Sequence, residues 1–251
     1  MNVIVVKNDR ELDAMRRGGK ILGAVLQEVA KMVEPGAVLK DLNDAAERMI
    51  REAGGEPAFL GYRGFPAALC VSVNDEVVHG SGARDRILQE GDIAGLDLGV
   101  RYGGMIVDGA ITVGVGMISK DAKRLISVAR DALQRALEQV HEGTPVGDVS
   151  AAVQAYVERE GFGVVRDMVG HGVGRDLHEP PEVPNFGTKG TGPRFPAGAT
   201  IAIEPMITAG DWRVKTLSDG WTVATVDGSL SAHFEHTVFV TEKGCEILTK
   251  Q

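Results

Sequence analysis

The 251-residue chain carries only two cysteines, Cys70 and Cys245. That is too few for a disulfide framework, so the chemistry suits a reducing compartment. Positive charge is also in short supply. The formal net charge is −8, which gives no general attraction to a phosphate backbone and argues against direct reading of nucleic acid. The one basic cluster, Lys7, Arg10, Arg16, Arg17 and Lys20, reads as a solvated helix face. Long apolar runs are missing as well. Val3 to Val6 is too short for a signal-peptide core, and no stretch approaches the roughly 20 apolar residues that cross a bilayer. A soluble, cytoplasmic protein is expected, with no membrane partner.

The composition that is present, 43% hydrophobic and 25% charged, supports a well-packed core and speaks against disorder. Val3 to Val6 reads as a short strand. Asn8 followed by Glu11 resembles a capping box. The helix after it carries Leu12, Met15, Leu22, Leu26 and Val29 on one face and should stop before Pro35-Gly36. A second helix, with Leu42, Ala45, Ala46, Met49 and Ile50, ends at Gly54-Gly55. The arrangement returns 107 residues later: Leu26, Gln27, Val33, Gly36, Asp41, Ala45 and Gly54 recur as Leu133, Gln134, Val140, Gly143, Asp148, Ala152 and Gly161. This reads as one domain over residues 1–251, built from two pseudo-symmetric halves of about 1–120 and 121–251 with a site between them. After each helix pair the pattern turns to strands, and the prolines from Pro180 to Pro196 read as a long loop. Segregated helices and strands indicate an α+β class.

Five side chains stand out against their surroundings. Asp97 and Asp108 lie in apolar strand-like runs either side of Arg101-Tyr102-Gly103-Gly104. With the turn centred between Tyr102 and Gly103 they become a directly opposed cross-strand pair, whose mutual repulsion a cation would relieve. Glu204 lies in Ile201 to Ile207 and Glu235 in His233 to Val240, both runs that look buried. His171 lies among glycines. Acids are rarely buried unless paired or metal-bound. Four carboxylates and one imidazole are an oxygen-rich set suited to hard or borderline divalent ions, and they exceed the needs of one ion, so two sharing carboxylates are expected. His79 and His178 could steady a polarised carbonyl. His141, His233 and His236 receive no direct role.

Asp97, Asp108, His171, Glu204 and Glu235, in this order and spacing, resemble the metal site of type I methionine aminopeptidases. The resemblance spans essentially the whole chain and includes Met15 to Gly19, Cys70 to Asn74, Glu76 to Gly80, Gly170 to Gly174 with His178-Glu179-Pro180, and Ile203-Glu204-Pro205. It implies the pita-bread fold around a dinuclear site filled by Co, Mn, Fe or Zn. It further implies removal of the initiator methionine from nascent polypeptides with a small second residue, by attack of a metal-activated water on the methionine carbonyl. By carry-over, Asp97 chelates one ion, His171 and Glu204 the other, and Asp108 and Glu235 bridge. Glu204 relays a proton, His178 stabilises the oxyanion and His79 orients the substrate amide. Phe59, Tyr62, Phe65, Cys70 and Trp221 match the methionine pocket, and Asn74 and Ser231 a monovalent cation site. A monomer that meets the ribosome transiently is also implied. The alternatives are a proline-directed aminopeptidase or dipeptidase of the same fold, and a non-catalytic peptide-binding module.

Overall fold

Asn8 closes the expected capping box: its side chain accepts from the Glu11 amide (3.0 Å), and the Glu11 carboxylate accepts from the Asn8 amide (2.9 Å). From this start the computed structural model, which describes residues 3–250, runs through α1 (Asp9–Lys31), α2 (Leu39–Glu52), β1 (Glu56–Pro57), β2 (Cys70–Val73), β3 (Glu76–Val78), β4 (Ile93–Tyr102) and β5 (Met105–Gly114). It continues with α3 (Lys120–Leu137), α4 (Val146–Arg159), β6 (Gly163–Val164), β7 (Val169–Gly172), β8 (Glu179–Pro184), β9 (Thr200–Ile203) and β10 (Met206–Thr208). The chain closes with β11 (Val214–Thr216), β12 (Val223–Thr225), β13 (Ser231–His233), β14 (Glu235–Val240) and β15 (Cys245–Ile247). This is the α+β arrangement expected, with all strand pairs antiparallel.

A nine-stranded sheet runs in the order β1-β4-β5-β14-β9-β7-β8, with β2 added beside β4 and β15 beside β14. Two three-stranded sheets, β13-β10-β6 and β11-β12-β3, lie apart from it. Helices α1 and α2 bury Leu12, Met15, Leu22, Leu26, Leu42 and Ile50 in one core with β4 and β5; α3 and α4 bury Leu125, Ala129, Leu133, Val149 and Val153 in a second. Burial of such a stripe stabilises by about 1.5–3 kcal/mol for each large aliphatic side chain. The 107-residue offset carries α2 onto α4 residue for residue, Ile93 onto Thr200 at the start of β9, and Asp97 onto Glu204. Gly19 lets α1 receive the C-terminal backbone, since a Cβ there would stand 2.0 Å from the Leu248 carbonyl oxygen.

Three expectations change. Val3 to Val6 forms no strand; only Val6 makes a bridge, to Ala199. The proline-rich stretch is not all loop, because Glu179–Pro184 is a strand paired with β7 at the edge of the sheet. An edge position tolerates residues that have no amide hydrogen to give. The β4–β5 turn is centred between Gly103 and Gly104, both at positive φ (58° and 84°) as a two-residue hairpin of the primed type requires. Asp97 therefore pairs with Ala110 and Asp108 with Gly99. The two aspartates are diagonal neighbours on one face, not directly opposed.

Candidate metal centre

The register of the large sheet places the site. Ala110 stands opposite Asp97 on one side and Glu235 on the other. The Asp108 amide donates to Thr237 Oγ1 (2.8 Å), Thr237 pairs with Ala202, and Ala202 pairs with His171. Directly paired residues share a face, and alternate residues along a strand return to it. Asp97, Asp108, His171 and Glu235 therefore project from the same face, separated by the small residues Gly99, Ala110 and Ala202.

Glu204 reaches this face at a junction between sheets. Pro205 carries no amide hydrogen, and at Glu204-Pro205 the chain passes from β9 in the large sheet to β10 in a small one. Phe234 makes the matching passage from β13 to β14. Ile203 pairs with His236 and Met206 with His233, so Glu204 and Glu235 stand across from each other between those pairs. The opposed acids exist, but they come from distant segments rather than from one hairpin.

The side chains converge. Asp108, His171 and Glu235 each offer a donor atom within 4.8 Å of the others, and so do Glu204, His233 and Glu235. His171 Nε2 lies 3.5 Å from Glu204 Oε1. Burial raises the carboxyls: Asp97 to about 7, and Asp108, Glu204 and Glu235 well above the usual range, with mutual repulsion adding to the last three. Burial lowers His171 to about 3 and His79 to about 4. Asp97 Oδ1, Glu235 Oε1 and His233 Nε2 are buried without a hydrogen-bond partner. Clustered acids with orphaned oxygens and one imidazole are the donor set that fits divalent ions. His171 Nδ1 meets the Gly172 carbonyl (2.9 Å), which puts its proton there and leaves Nε2 with a free lone pair.

These groups form the floor of a cavity of about 180 Å³ whose walls include Phe59, Tyr62, Phe65, Cys70, His79, His178 and Trp221. Phe65 meets Trp221 edge to face at 5.4 Å. Cys70 pairs with Asp97 across β2 and β4, and burial followed by the facing carboxylates pushes its thiol well up, so it acts as an apolar wall. His79 holds a positive φ of 59°. The His178 ring meets the His171 ring edge to face, 4.3 Å between centroids, and meets the Tyr62 hydroxyl at 2.8 Å through Nδ1. A wider groove of about 750 Å³ shares Val169, His171 and His178 with this cavity but holds none of the clustered acids. Asn74 and Ser231 adjoin each other, the Ser231 amide donating to the Asn74 carbonyl (2.8 Å).

Over residues 13–242 the sequence matches the model of metallopeptidase family M24. The chain belongs to that family. Within M24 it is similar to a methionine aminopeptidase of Clostridium perfringens, at 48% identity over 98% of this chain and 99% of that one. Methionine aminopeptidase 1 of Bacillus subtilis is 47% identical over 99% and 100%. The crystal structure of methionine aminopeptidase from Thermotoga maritima superposes with a TM-score of 0.97 at 46% identity, covering 99% of this chain and 100% of that. An X-Pro aminopeptidase from the same organism, 22% identical, has a TM-score of 0.78 and is covered to 62% of its length; that likeness is one of fold. The M24 member thus has the pita-bread fold, with two pseudo-symmetric halves about the acidic cluster.

Two features of this M24 chain lay outside the sequence reading. His233, given no direct role by its sequence context, lies in the cluster with Glu204 and Glu235. Lys7, grouped with the solvated basic residues, is buried and meets Glu179 at 2.6 Å. Glu179 also accepts from the amides of Arg175 (2.5 Å) and Asp176 (3.1 Å), so this ion pair fastens the loop that carries His178. Nothing local to Lys7 signals a partner so far along the chain. No helix of the described residues is long and apolar enough to cross a membrane.

Proposed function

We propose that this chain removes the N-terminal methionine from polypeptides whose second residue is small, using two divalent ions held by Asp97, Asp108, His171, Glu204 and Glu235. The observation that carries the reading is the convergence of these five donors on one sheet face, at the floor of a cavity with aromatic and apolar walls. Asp97 would hold one ion, and His171 with Glu204 the other. Asp108 and Glu235 would be shared; Glu235 belonging to both three-residue groups supports that. When bound, such a pair of Co, Mn, Fe or Zn ions supplies charge that polarises a carbonyl and brings the pKa of a water near neutrality.

The protein's own groups do the rest. Glu204 takes the proton released as water attacks the methionine carbonyl carbon, and returns it to the amide nitrogen as the C–N bond breaks. The Tyr62 hydroxyl meets His178 Nδ1 at 2.8 Å; donating its hydrogen there, it would leave the imidazole proton on Nε2 as a donor to the oxyanion. His79 orients the substrate amide. Phe59, Tyr62, Phe65, Cys70 and Trp221 receive the thioether chain, and sulfur–aromatic contact favours methionine. A free α-amino group would sit at the acidic floor of the cavity beside the ions, which would confine cleavage to the terminal residue.

The wider reading is of one catalytic domain, monomeric and cytoplasmic, that meets nascent chains at the ribosome. Asn74 and Ser231 would flank a monovalent cation through the Asn74 carbonyl and Ser231 Oγ. Hydrolysis of Met-Ala-Ser and of Ala-Pro-Ser by protein loaded in turn with each metal, with a chelated control, tests the activity. Metal-dependent release of methionine from the first peptide alone is expected. Cleavage of only the proline peptide, or none in any metal, would contradict it.

A further inference from the structure

We infer that His233 is a positioning residue for the metal centre: its Nε2 faces Oε2 of Glu204 and Oε2 of Glu235, and as a donor to both it would orient the two side chains for the ions. The inference rests on the dinuclear reading and adds to it a residue outside the five ligands.

His233 is 3% exposed, and its Nε2 is buried with no hydrogen-bond partner. That atom lies 3.8 Å from Glu204 Oε2 and 3.8 Å from Glu235 Oε2. Its backbone is clamped from both sides by one hydroxyl. The His233 amide donates to Thr112 Oγ1 (2.9 Å), and Thr112 Oγ1 donates to the His233 carbonyl (2.8 Å). The backbone that carries the ring is thus fixed beside the two acids.

The Glu204 carboxylate is bracketed by two imidazoles, one for each oxygen. His171 Nε2 faces Oε1, and His233 Nε2 faces Oε2. Their tautomers differ. His171 has its proton on Nδ1, bonded to the Gly172 carbonyl, so its Nε2 offers a lone pair. As ionised ligands both glutamates would be acceptors, so His233 would carry its proton on Nε2, which faces them. One ring is thus a ligand and the other a donor. Partners that orient metal ligands in this way commonly change metal affinity 10–100-fold when removed.

The test uses the full-length protein, stripped by chelation and titrated with Mn²⁺ by calorimetry, as His233→Gln, His233→Leu and His233→Met. Unfolding curves identify which variants fold, and the two apolar replacements guard against failure of one. The apolar variants should bind Mn²⁺ about 10–100-fold more weakly at unchanged stoichiometry. His233→Gln keeps an N–H donor and should restore binding to near the natural level. The visible spectrum of the Co²⁺-loaded Gln variant should match that of the natural chain. Apolar variants that bind Mn²⁺ as the natural chain does would overturn the inference. So would a Gln variant as weak as Leu with an altered Co²⁺ spectrum, which would make His233 itself a ligand. Failure of the natural chain to bind Mn²⁺ shows before any variant is compared, and overturns the dinuclear reading instead.

Discussion

Asp97→Asn should stabilise the metal-free protein at alkaline pH while removing much of its response to divalent ions. Burial pushes the Asp97 carboxyl from 3.8 to about 7, its Oδ1 has no partner, and burial also raises Asp108 beside it. Between these two values the folded chain holds a proton that the unfolded chain has released. Stability therefore falls as pH rises through that window, and is fully present only below about pH 4. At about 1.4 kcal/mol per tenfold change in proton affinity, the loss is roughly 4 kcal/mol in all, more than half of it between about pH 5 and 8. Asparagine keeps the shape and carries no such charge. Buried His171, His233 and His79, lowered to about 3, 3 and 4, act with the opposite sign below 6.5, but they are common to both proteins and drop out of the difference. The assay is denaturant unfolding in chelator at pH 5 and 8. The variant should gain on the natural chain by roughly 2–3 kcal/mol between the two. With Mn²⁺ at about 100 times its dissociation constant the natural chain should recover about 2.7 kcal/mol, and the variant much less. Parallel behaviour of the two proteins at both pH values would refute the argument that burial of the Asp97 carboxyl costs the metal-free protein stability as pH rises.

Glu204→Gln retains the side-chain volume but not the proton acceptor, so kcat on Met-Ala-Ser should fall by about 10²–10⁴ in steady-state assays with saturating metal. Lys7→Met leaves the Glu179 carboxylate buried without its cation, a loss of about 3–5 kcal/mol; Lys7→Met combined with Glu179→Gln should recover part of it in the same unfolding assay. Gly99→Ala sets a Cβ 2.8 Å from Phe59 Cε1. The ring must move into the cavity, so KM for methionine peptides should rise by more than kcat falls.

The parts of this molecule written in neighbouring residues were legible. Asn8 and Glu11 cap a helix by bonds three positions apart, and apolar spacing alone outlines α1, α2 and the recurrence that places α4. The five donors were visible because acids and a histidine sit in runs that otherwise look buried. The register of β4 with β5 was not legible, since Tyr102-Gly103 and Gly103-Gly104 both offer a turn, and the choice falls to the pair in which two glycines accept positive φ. The opposition of Glu204 to Glu235 arises from pairing between separate strands. The strand at Glu179–Pro184 is masked by its prolines, and Lys7 and His233 take their meaning from partners that only folding brings near.

The most direct measurement is an anomalous difference map from crystals grown with Mn²⁺. The account predicts two peaks, about 3.5–4 Å apart, enclosed by Asp97, Asp108, His171, Glu204 and Glu235. A map with no peak among these side chains, or with its peaks elsewhere on the protein, would contradict it.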